Sequence, residues 1–194
     1  MALMAQTDGI EIEAKFLDID KPKLLEQLRA LGAVDLGEEL IQEIAFYDQA
    51  LTWMTREHKL VRLRRTRGKD VLTFKHMAVF TATGTKEIEF TVSDFDKTKQ
   101  FLEAIGLVAY REVEKKRHTL TLDGVTVDID TWPTVPPLVE FEGPSEQSLK
   151  DISAKLGFDW AKAVFEPSTI YLETRYNIPI AKIRVFTFDK IVQV

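Results

Sequence analysis

Charged and apolar residues alternate with a period of two in many short stretches of this chain. In the first of them, residues 10–16 (IEIEAKF), the even-numbered positions are apolar and the odd-numbered positions are charged. Successive side chains of a β-strand point to opposite faces, so this stretch predicts a strand with one apolar and one charged face. Because an apolar face must be buried, the chain has to build a sheet that is covered on one side.

The order of predicted elements repeats along the chain. IEIEAKF is followed by a helix at 21–31 with Asp20 as its cap, and KEIEF at 86–90 is followed by a second helix that ends before Gly106. Three strand-like stretches follow each helix, at 41–47, 60–64 and 71–75 in the first half and at 110–122, 125–130 and 138–142 in the second. Each half therefore reads β-α-β-β-β.

Two such halves predict an α+β fold. We expect an eight-stranded antiparallel β-barrel with the helices packed outside, including further helices at 145–156 and 168–176. Residues 1–9 are predicted to be a flexible N-terminus and residues 10–178 to form the barrel domain. Residues 179–194 are predicted to be a C-terminal extension whose IRVFTF stretch forms an edge strand or a contact with a partner, which leaves a homodimer open.

Composition restricts the function. The net charge of −5 gives no reason to expect binding to nucleic acid, beyond a nucleotide as substrate, or to an anionic membrane. No cysteine and only three histidines are present, so a metal ion would have oxygen ligands. We find neither a membrane-length apolar segment nor a basic start followed by an apolar stretch, and we expect a cytoplasmic protein.

The charged faces of the predicted strands carry both signs. They comprise Glu11, Glu13 and Lys15; Arg62 and Arg64; Thr73 and Lys75; Glu87 and Glu89; Lys115 and Arg117; Asp128 and Asp130; and Glu140 and Glu142. One alternative is a sheet whose charged face simply meets water. We favour a lumen, because like charges two residues apart in one strand repel and call for counter-ions.

The same residues resemble a known family. IEIEAKF carries the ExExK signature of the CYTH superfamily, also called triphosphate tunnel metalloenzymes. RLR (62–64), TFK (73–75), EIE (87–89), EKKR (114–117), VDID (127–130) and VEFEG (139–143) are similar in order and spacing to the later strands of that family. The resemblance covers residues 10–176 and implies an eight-stranded tunnel, triphosphate substrates and a divalent metal ion.

Members of the superfamily include inorganic triphosphatases, thiamine triphosphatases, relatives of RNA triphosphatases and class IV adenylate cyclases. EKKR and the stretch 127–143 look closest to the branch labelled class IV adenylate cyclase. The chain departs from the family pattern at His76, where a glycine is frequent, and at residues 134–137, which replace a Gly-rich turn.

The resemblance also implies roles for individual residues. Glu11, Glu13, Asp128 and Glu140 are expected to bind Mg²⁺ or Mn²⁺. Lys15, Arg62, Arg64, Lys75, Lys115 and Arg117 are expected to bind the phosphates. Glu11, Glu13, Lys15 and Lys75 are assigned to catalysis, and Glu87, Glu89, Asp130 and Glu142 to support of the lumenal cations.

These assignments predict a metal-dependent phosphohydrolase that acts on a small molecule bearing a triphosphate: inorganic triphosphate, thiamine triphosphate or a nucleoside triphosphate. The first alternative is a class IV adenylate cyclase that converts ATP to cyclic AMP and pyrophosphate. A non-catalytic polyphosphate-binding module is a further alternative. The acidic residues oppose it, because they would repel an anion bound without a metal ion.

Overall fold

A computed structural model describes residues 10–66 and 68–193. The predicted flexible segment 1–9 lies outside these residues. The strands are β1 (Ile10–Glu11), β2 (Glu13–Phe16), β3 (Val34–Tyr47), β4 (Lys59–Thr66), β5 (Lys69–Met77), β6 (Thr85–Val92), β7 (Val108–Leu122), β8 (Val125–Thr131), β9 (Leu138–Glu142), β10 (Ile183–Phe186) and β11 (Ile191–Gln193). The α-helices are α1 (Lys21–Ala30), α2 (Phe95–Ala104), α3 (Glu146–Lys155) and α4 (Ser168–Tyr176). None of the described helices is long and apolar enough to span a membrane.

The helices begin where the sequence predicts them. The Asp20 carboxylate accepts a hydrogen bond from the backbone N–H of Lys23 and caps α1, and Asp94 caps α2 through Lys97 in the same way. Such caps satisfy backbone donors that have no partner inside a helix. Leu24 and Leu28 face the core from α1, at the spacing of one helical turn.

The strands form one sheet, which is antiparallel except where β10 joins it. Its hydrogen-bonded path runs β1-β6-β5-β4-β3-β7-β8-β9-β2. The two ends of this path, β1 and β2, are consecutive in the chain and are separated by Ile12. The prediction of an α+β fold with an antiparallel sheet and helices is therefore confirmed.

The eight-stranded closed barrel is not confirmed. The first predicted strand is divided at Ile12, because Ile10 and Glu11 pair with β6 whereas Glu13 to Phe16 pair with β9. β6 pairs with β1 only at Thr85 and Lys86, so its edge from residue 87 to residue 92 has no strand partner among the described residues. The hydrogen-bonded path thus contains more strands than predicted and stays open.

The apolar faces of most strands are covered by helices, as predicted. Ala14 and Phe16 of β2 join a core cluster with residues of α1 and α3, and α2 contributes Leu102 to a cluster with Phe46 and Leu63. β6 is the exception, because its outward Ile88 and Phe90 are 53% and 54% exposed. α2 packs on β4 and β7, and among the apolar residues of β6 it is Val92 that packs against the cluster containing Leu102.

The C-terminal region packs against the part of β7 that β8 does not reach. β8 pairs with β7 from Lys116 onward, whereas β10 runs parallel to β7 at Glu112 and Val113. β10 also pairs with β11, so the predicted strand in IRVFTF is flanked on both sides. Phe186 is fully buried in a cluster with residues of α4 and with Trp132. The domain boundary at residue 178 stays a proposal.

Two phenylalanines in the C-terminal region test whether this packing stabilises the whole domain. We expect Phe186→Ala to lower the free energy of unfolding by about 3–5 kcal/mol, because it leaves a cavity in the core. Phe188 is 39% exposed, and Phe188→Ala is expected to cost less than about 1 kcal/mol. Chemical denaturation of both variants measures the difference. Equal, small effects would show that β10 contributes nothing to stability.

Candidate functional site

The charged faces of the strands line one cavity of about 430 Å³. Every predicted site residue except Asp128 lines it. These residues are Glu11, Glu13, Lys15, Arg62, Arg64, Lys75, Glu87, Glu89, Lys115, Arg117, Asp130, Glu140 and Glu142. The alternation of strand side chains explains their convergence: the residues between them, such as Ala14, Leu63 and Phe141, belong to the core on the other side of the sheet.

Three carboxylates come together at one place in the cavity. Glu11, Glu13 and Glu140 each offer one oxygen atom, and these atoms all lie within 4.8 Å of one another. We call these residues the carboxylate cluster. Glu11 and Glu13 approach from β1 and β2, while Glu140 comes from the neighbouring β9. Mg²⁺ and Mn²⁺ prefer oxygen ligands of this kind, so the donor set fits the divalent metal that the sequence implies.

The three carboxylates differ in their protonation. Burial raises the pKa of Glu13 to about 7, and the charges of Glu140 and Glu11 add to the effect although Lys15 opposes it. Burial would also raise the pKa of Glu140, but the charges of Lys15 and Arg117 hold it well below its usual value. The cluster therefore combines a carboxylate whose pKa is held low with one whose pKa lies near neutral pH.

Two lysines balance the charge of the carboxylate cluster. The Nζ atom of Lys15 lies 2.5 Å from Glu13 and 3.7 Å from Glu140. The Nζ atom of Lys75 lies 2.7 Å from Glu11 and 2.8 Å from Glu87. A divalent cation in the cluster would compete with both ammonium groups for the same oxygens. Lys15 and Lys75 could then turn towards an anion bound beside the cation.

A second network on β7 and β8 is more completely paired. Arg117 donates from Nε and Nη2 to Asp130 at 2.7 Å and from Nη1 to Asp128 at 2.6 Å. Lys115 donates to Asp130 at 2.8 Å. Asp128 also accepts from the hydroxyl of Thr119. Asp128 thus supports Arg117 from outside the cavity lining, and the structure does not bring it into the carboxylate cluster as the sequence analysis expected.

Arg62 and Arg64 are less completely paired than Arg117, and we call them the arginine pair. The Nη2 atom of Arg64 lies 3.1 Å from Glu89, and Nε of Arg62 lies 3.5 Å from Glu43. The buried Nε atoms of both arginines have no hydrogen-bond partner among the described residues. These guanidinium groups can therefore bind a phosphate through donors that the protein itself does not use.

The sequence analysis missed two residues of the site. Glu43 lines the cavity from β3, where the residues two positions away on either side, Ile41 and Ala45, are apolar. Its position two residues from Ile41 is the one available signal, and an isolated acid in a strand is easily read as exposed. Tyr171 reaches the cavity from α4, and no period-two pattern could place a helical residue there.

Aromatic and apolar residues form another part of the cavity wall. Tyr47, Trp53, Met54 and Leu60 all line it. Trp53 and Met54 belong to a single π-helical turn, Trp53–Glu57, between β3 and β4. The Trp53 ring packs edge-on against Phe74, with 6.2 Å between the ring centroids. Trp53 therefore packs against β5 and also faces the cavity.

The fold and the cavity together define a protein that can hold a cation and a multiply charged anion side by side. Residues 9–167 match the CYTH domain, and the chain belongs to the CYTH family.

Individual relatives support this placement. A protein of Methanocaldococcus jannaschii named "Putative adenylate cyclase" is 26% identical over 147 residues, which are 75% of this chain and 81% of the relative. The structure of a "putative adenylate cyclase" from Vibrio parahaemolyticus aligns with a TM-score of 0.73 at 14% identity, over 87% of this chain and 100% of that one. A Hippeastrum "putative adenylyl cyclase", described as having a dominant triphosphatase activity, aligns with a TM-score of 0.61 at 14% identity, over 88% and 98% of the two chains.

The protonation of the cavity predicts how stability depends on pH. Burial, together with the charges of Glu11 and Glu140, raises the pKa of Glu142 from 4.5 to about 8. The folded state therefore holds a proton that the unfolded state loses above pH 4.5, so stability falls as the pH rises from about 5 to 8. We expect Glu142→Gln to reduce this fall in the free energy of unfolding by about 2–4 kcal/mol.

Denaturation of the metal-free protein at pH 5 and pH 8.5 measures the effect. Glu173→Gln on the solvent-facing side of α4 serves as the control and should leave the pH dependence of wild type unchanged. An unchanged pH dependence in Glu142→Gln would show that Glu142 is ionised at neutral pH in the folded protein.

Proposed function

We propose that this protein is a metal-dependent phosphohydrolase that acts on a small molecule bearing a triphosphate. One observation carries the proposal: the carboxylate cluster and the arginine pair line the same cavity, and Lys15 and Lys75 form ion pairs with the carboxylates. Cations for several phosphates next to oxygen ligands for a metal ion are what phosphoryl transfer requires, because it depends on positioning and charge neutralisation.

We also propose that the sheet curls around this cavity as a tunnel. Residues 10–16 supply both ends of the hydrogen-bonded path, since β1 pairs with β6 and β2 pairs with β9. The backbone N–H of Gly143 donates to the carbonyl of Ile12, which lies between the two strands. This short bridge supports a curled sheet whose charged face is turned inward.

In the proposed mechanism Glu11, Glu13 and Glu140 hold Mg²⁺ or Mn²⁺. When bound there, the cation would neutralise charge on the phosphate oxygens. The arginine pair binds oxygens of the phosphate chain through two-pronged hydrogen bonds, and Lys15 and Lys75 add point charges. Asp130 holds Arg117 and Lys115 in fixed positions, which orients these cations towards the chain.

Adenylate cyclase activity is the second candidate, and two observations favour it. The Methanocaldococcus jannaschii relative carries the name "Putative adenylate cyclase". The aromatic wall formed by Tyr47 and Trp53 also offers a surface on which a nucleoside could pack. In this reaction the ribose 3′-hydroxyl attacks the α-phosphorus in place of water, and pyrophosphate leaves.

One assay panel tests the proposed function. The purified full chain is incubated with ATP, thiamine triphosphate or inorganic triphosphate and with Mg²⁺ or Mn²⁺, and phosphate, pyrophosphate and cyclic AMP are measured. We expect metal-dependent release of phosphate from at least one substrate. Equal amounts of cyclic AMP and pyrophosphate would establish the second candidate instead. No turnover with either metal would contradict both.

Variants of the carboxylates test the metal site. We expect Glu13→Gln to lower turnover at least about 100-fold, because loss of a direct ligand should exceed the 10–100-fold typical of residues that support ligands. Asp128→Asn is the matched control, since Asp128 lies outside the cavity lining and supports Arg117 instead of a metal ligand, and its effect should be at least about tenfold smaller than that of Glu13→Gln. Circular dichroism verifies that both variants fold. An equal loss in the two variants would overturn the assignment of the cluster.

A further inference from the structure

Glu43 is the acid of the cavity whose presence the proposed function does not explain. Glu11, Glu13 and Glu140 form the carboxylate cluster, and Asp130 holds Lys115 and Arg117. The remaining acids have closer partners or a raised pKa: Glu87 lies 2.8 Å from Nζ of Lys75, Glu89 accepts from Arg64 and Thr73, and burial raises the pKa of Glu142 to about 8.

Glu43 lines the cavity, and one of its buried carboxylate oxygens lacks a hydrogen bond within the described part of the chain. The side chain is 7% exposed, and its Oε2 atom has no hydrogen bond among the described residues. Nε of Arg62, 3.5 Å away, also lacks one. The carboxylate oxygen and the guanidinium N–H therefore form an ion pair without a hydrogen bond between them. Both can be satisfied by a bound molecule.

Glu43 remains an anion in this position. Burial opposes its ionisation, but the charges of Arg62, Lys115 and Arg64 hold the pKa of Glu43 below its usual value. An ionised carboxylate accepts hydrogen bonds and cannot donate them. It also repels a phosphoryl group and competes with it for the arginine pair, because Glu43 lies directly across from Arg64 in the pairing of β3 with β4.

We propose that Glu43 is a specificity-determining residue that selects a triphosphate ester over inorganic triphosphate by accepting a hydrogen bond from a neutral donor on the organic group. This inference rests on the proposed function and specifies its substrate class. A sugar hydroxyl or an amino group next to the phosphate chain would satisfy Oε2 of Glu43. A terminal phosphoryl group in the same place would leave that oxygen unpaired and add repulsion.

Equilibrium binding of non-hydrolysable analogues tests the proposal independently of turnover. Dissociation constants are measured by calorimetry, with Mg²⁺ present, for adenosine 5′-(β,γ-imido)triphosphate and for inorganic imidotriphosphate. Wild type should bind the nucleotide more tightly. In Glu43→Gln the preference for the nucleotide should fall by about tenfold, which is the size of one charge-assisted hydrogen bond. The nucleotide loses that bond, and inorganic imidotriphosphate gains affinity because the negative charge is removed.

Glu89→Gln is the matched control. Like Glu43→Gln, it removes one negative charge beside the arginine pair. Glu89, however, already accepts hydrogen bonds from Arg64 and Thr73. Both ligands should therefore change together, and the preference should stay within about twofold of wild type. A fall of the same size in Glu89→Gln would show that net charge alone explains the result and would overturn the role of Glu43.

Deoxy analogues identify the donor. A ribose hydroxyl is the donor if wild type does not prefer the 2′- or 3′-deoxy nucleotide over inorganic imidotriphosphate, and if Glu43→Gln does not lower that preference further. If both deoxy analogues bind like the parent while Glu43→Gln still lowers the preference, an amino group is the donor, and the proposal holds with that source.

The outcomes separate this inference from the proposed function. Selective binding without turnover would contradict the phosphohydrolase and leave the role of Glu43 standing. Turnover together with an unchanged preference in Glu43→Gln would overturn the inference alone. Failure of wild type to bind either analogue would contradict both.

Discussion

The structure depends on placing ionised side chains in a cavity without leaving their charges uncompensated. Transfer of a single charged group from water into a protein interior is costly unless an opposite charge accompanies it. Strand register provides that partner, because Lys15 lies opposite Glu140, Lys75 opposite Glu87 and Arg117 opposite Asp130 in adjacent strands. At these positions the adjacent strand neutralises the charge, whereas Glu13 lies opposite Glu142 and Asp128 lies opposite Glu140.

Charges in the cavity are not all paired equally well, and the groups that are paired less completely indicate where ligands bind. Arg117 and Asp130 satisfy each other with two short hydrogen bonds, so they form a fixed part of the wall. The carboxylate cluster, by contrast, gathers three acids around two lysines that a metal ion could displace. The proposed exchange of an ammonium group for a divalent cation would free Lys15 and Lys75 for phosphate. In this account, binding of metal and binding of substrate assist each other.

Much of the fold and of the site could be predicted because the signal is local. Alternation within each strand is sufficient to assign side chains such as Glu11 and Arg64 to the charged face, and capping residues such as Asp20 locate the helices. Register is not local. VDID offers two equivalent acids, and only the pairing of β8 with β7 and β9 separates Asp128 from Asp130.

Other features could not be predicted because they also depend on contacts between elements that are distant in the sequence. The division of the first strand at Ile12 depends on which neighbours reach each half of it, so the open path of the sheet could not be read from IEIEAKF. The exposure of Ile88 and Phe90 depends on where α2 docks. Glu43 has no charged neighbour two residues away, and Tyr171 reaches the cavity from a helix that follows the matched strands. In each case tertiary contacts decide what local periodicity leaves open.

The most direct test of the central claim is the position of a bound metal ion. Crystals of the full chain grown with Mn²⁺ allow that ion to be located from its anomalous scattering. We predict a peak within about 2.5 Å of carboxylate oxygens of Glu11, Glu13 and Glu140, with the ammonium groups of Lys15 and Lys75 moved away from them. A peak at Asp128, or a cavity without Mn²⁺ at saturating concentration while the two lysines keep their ion pairs, would contradict the account.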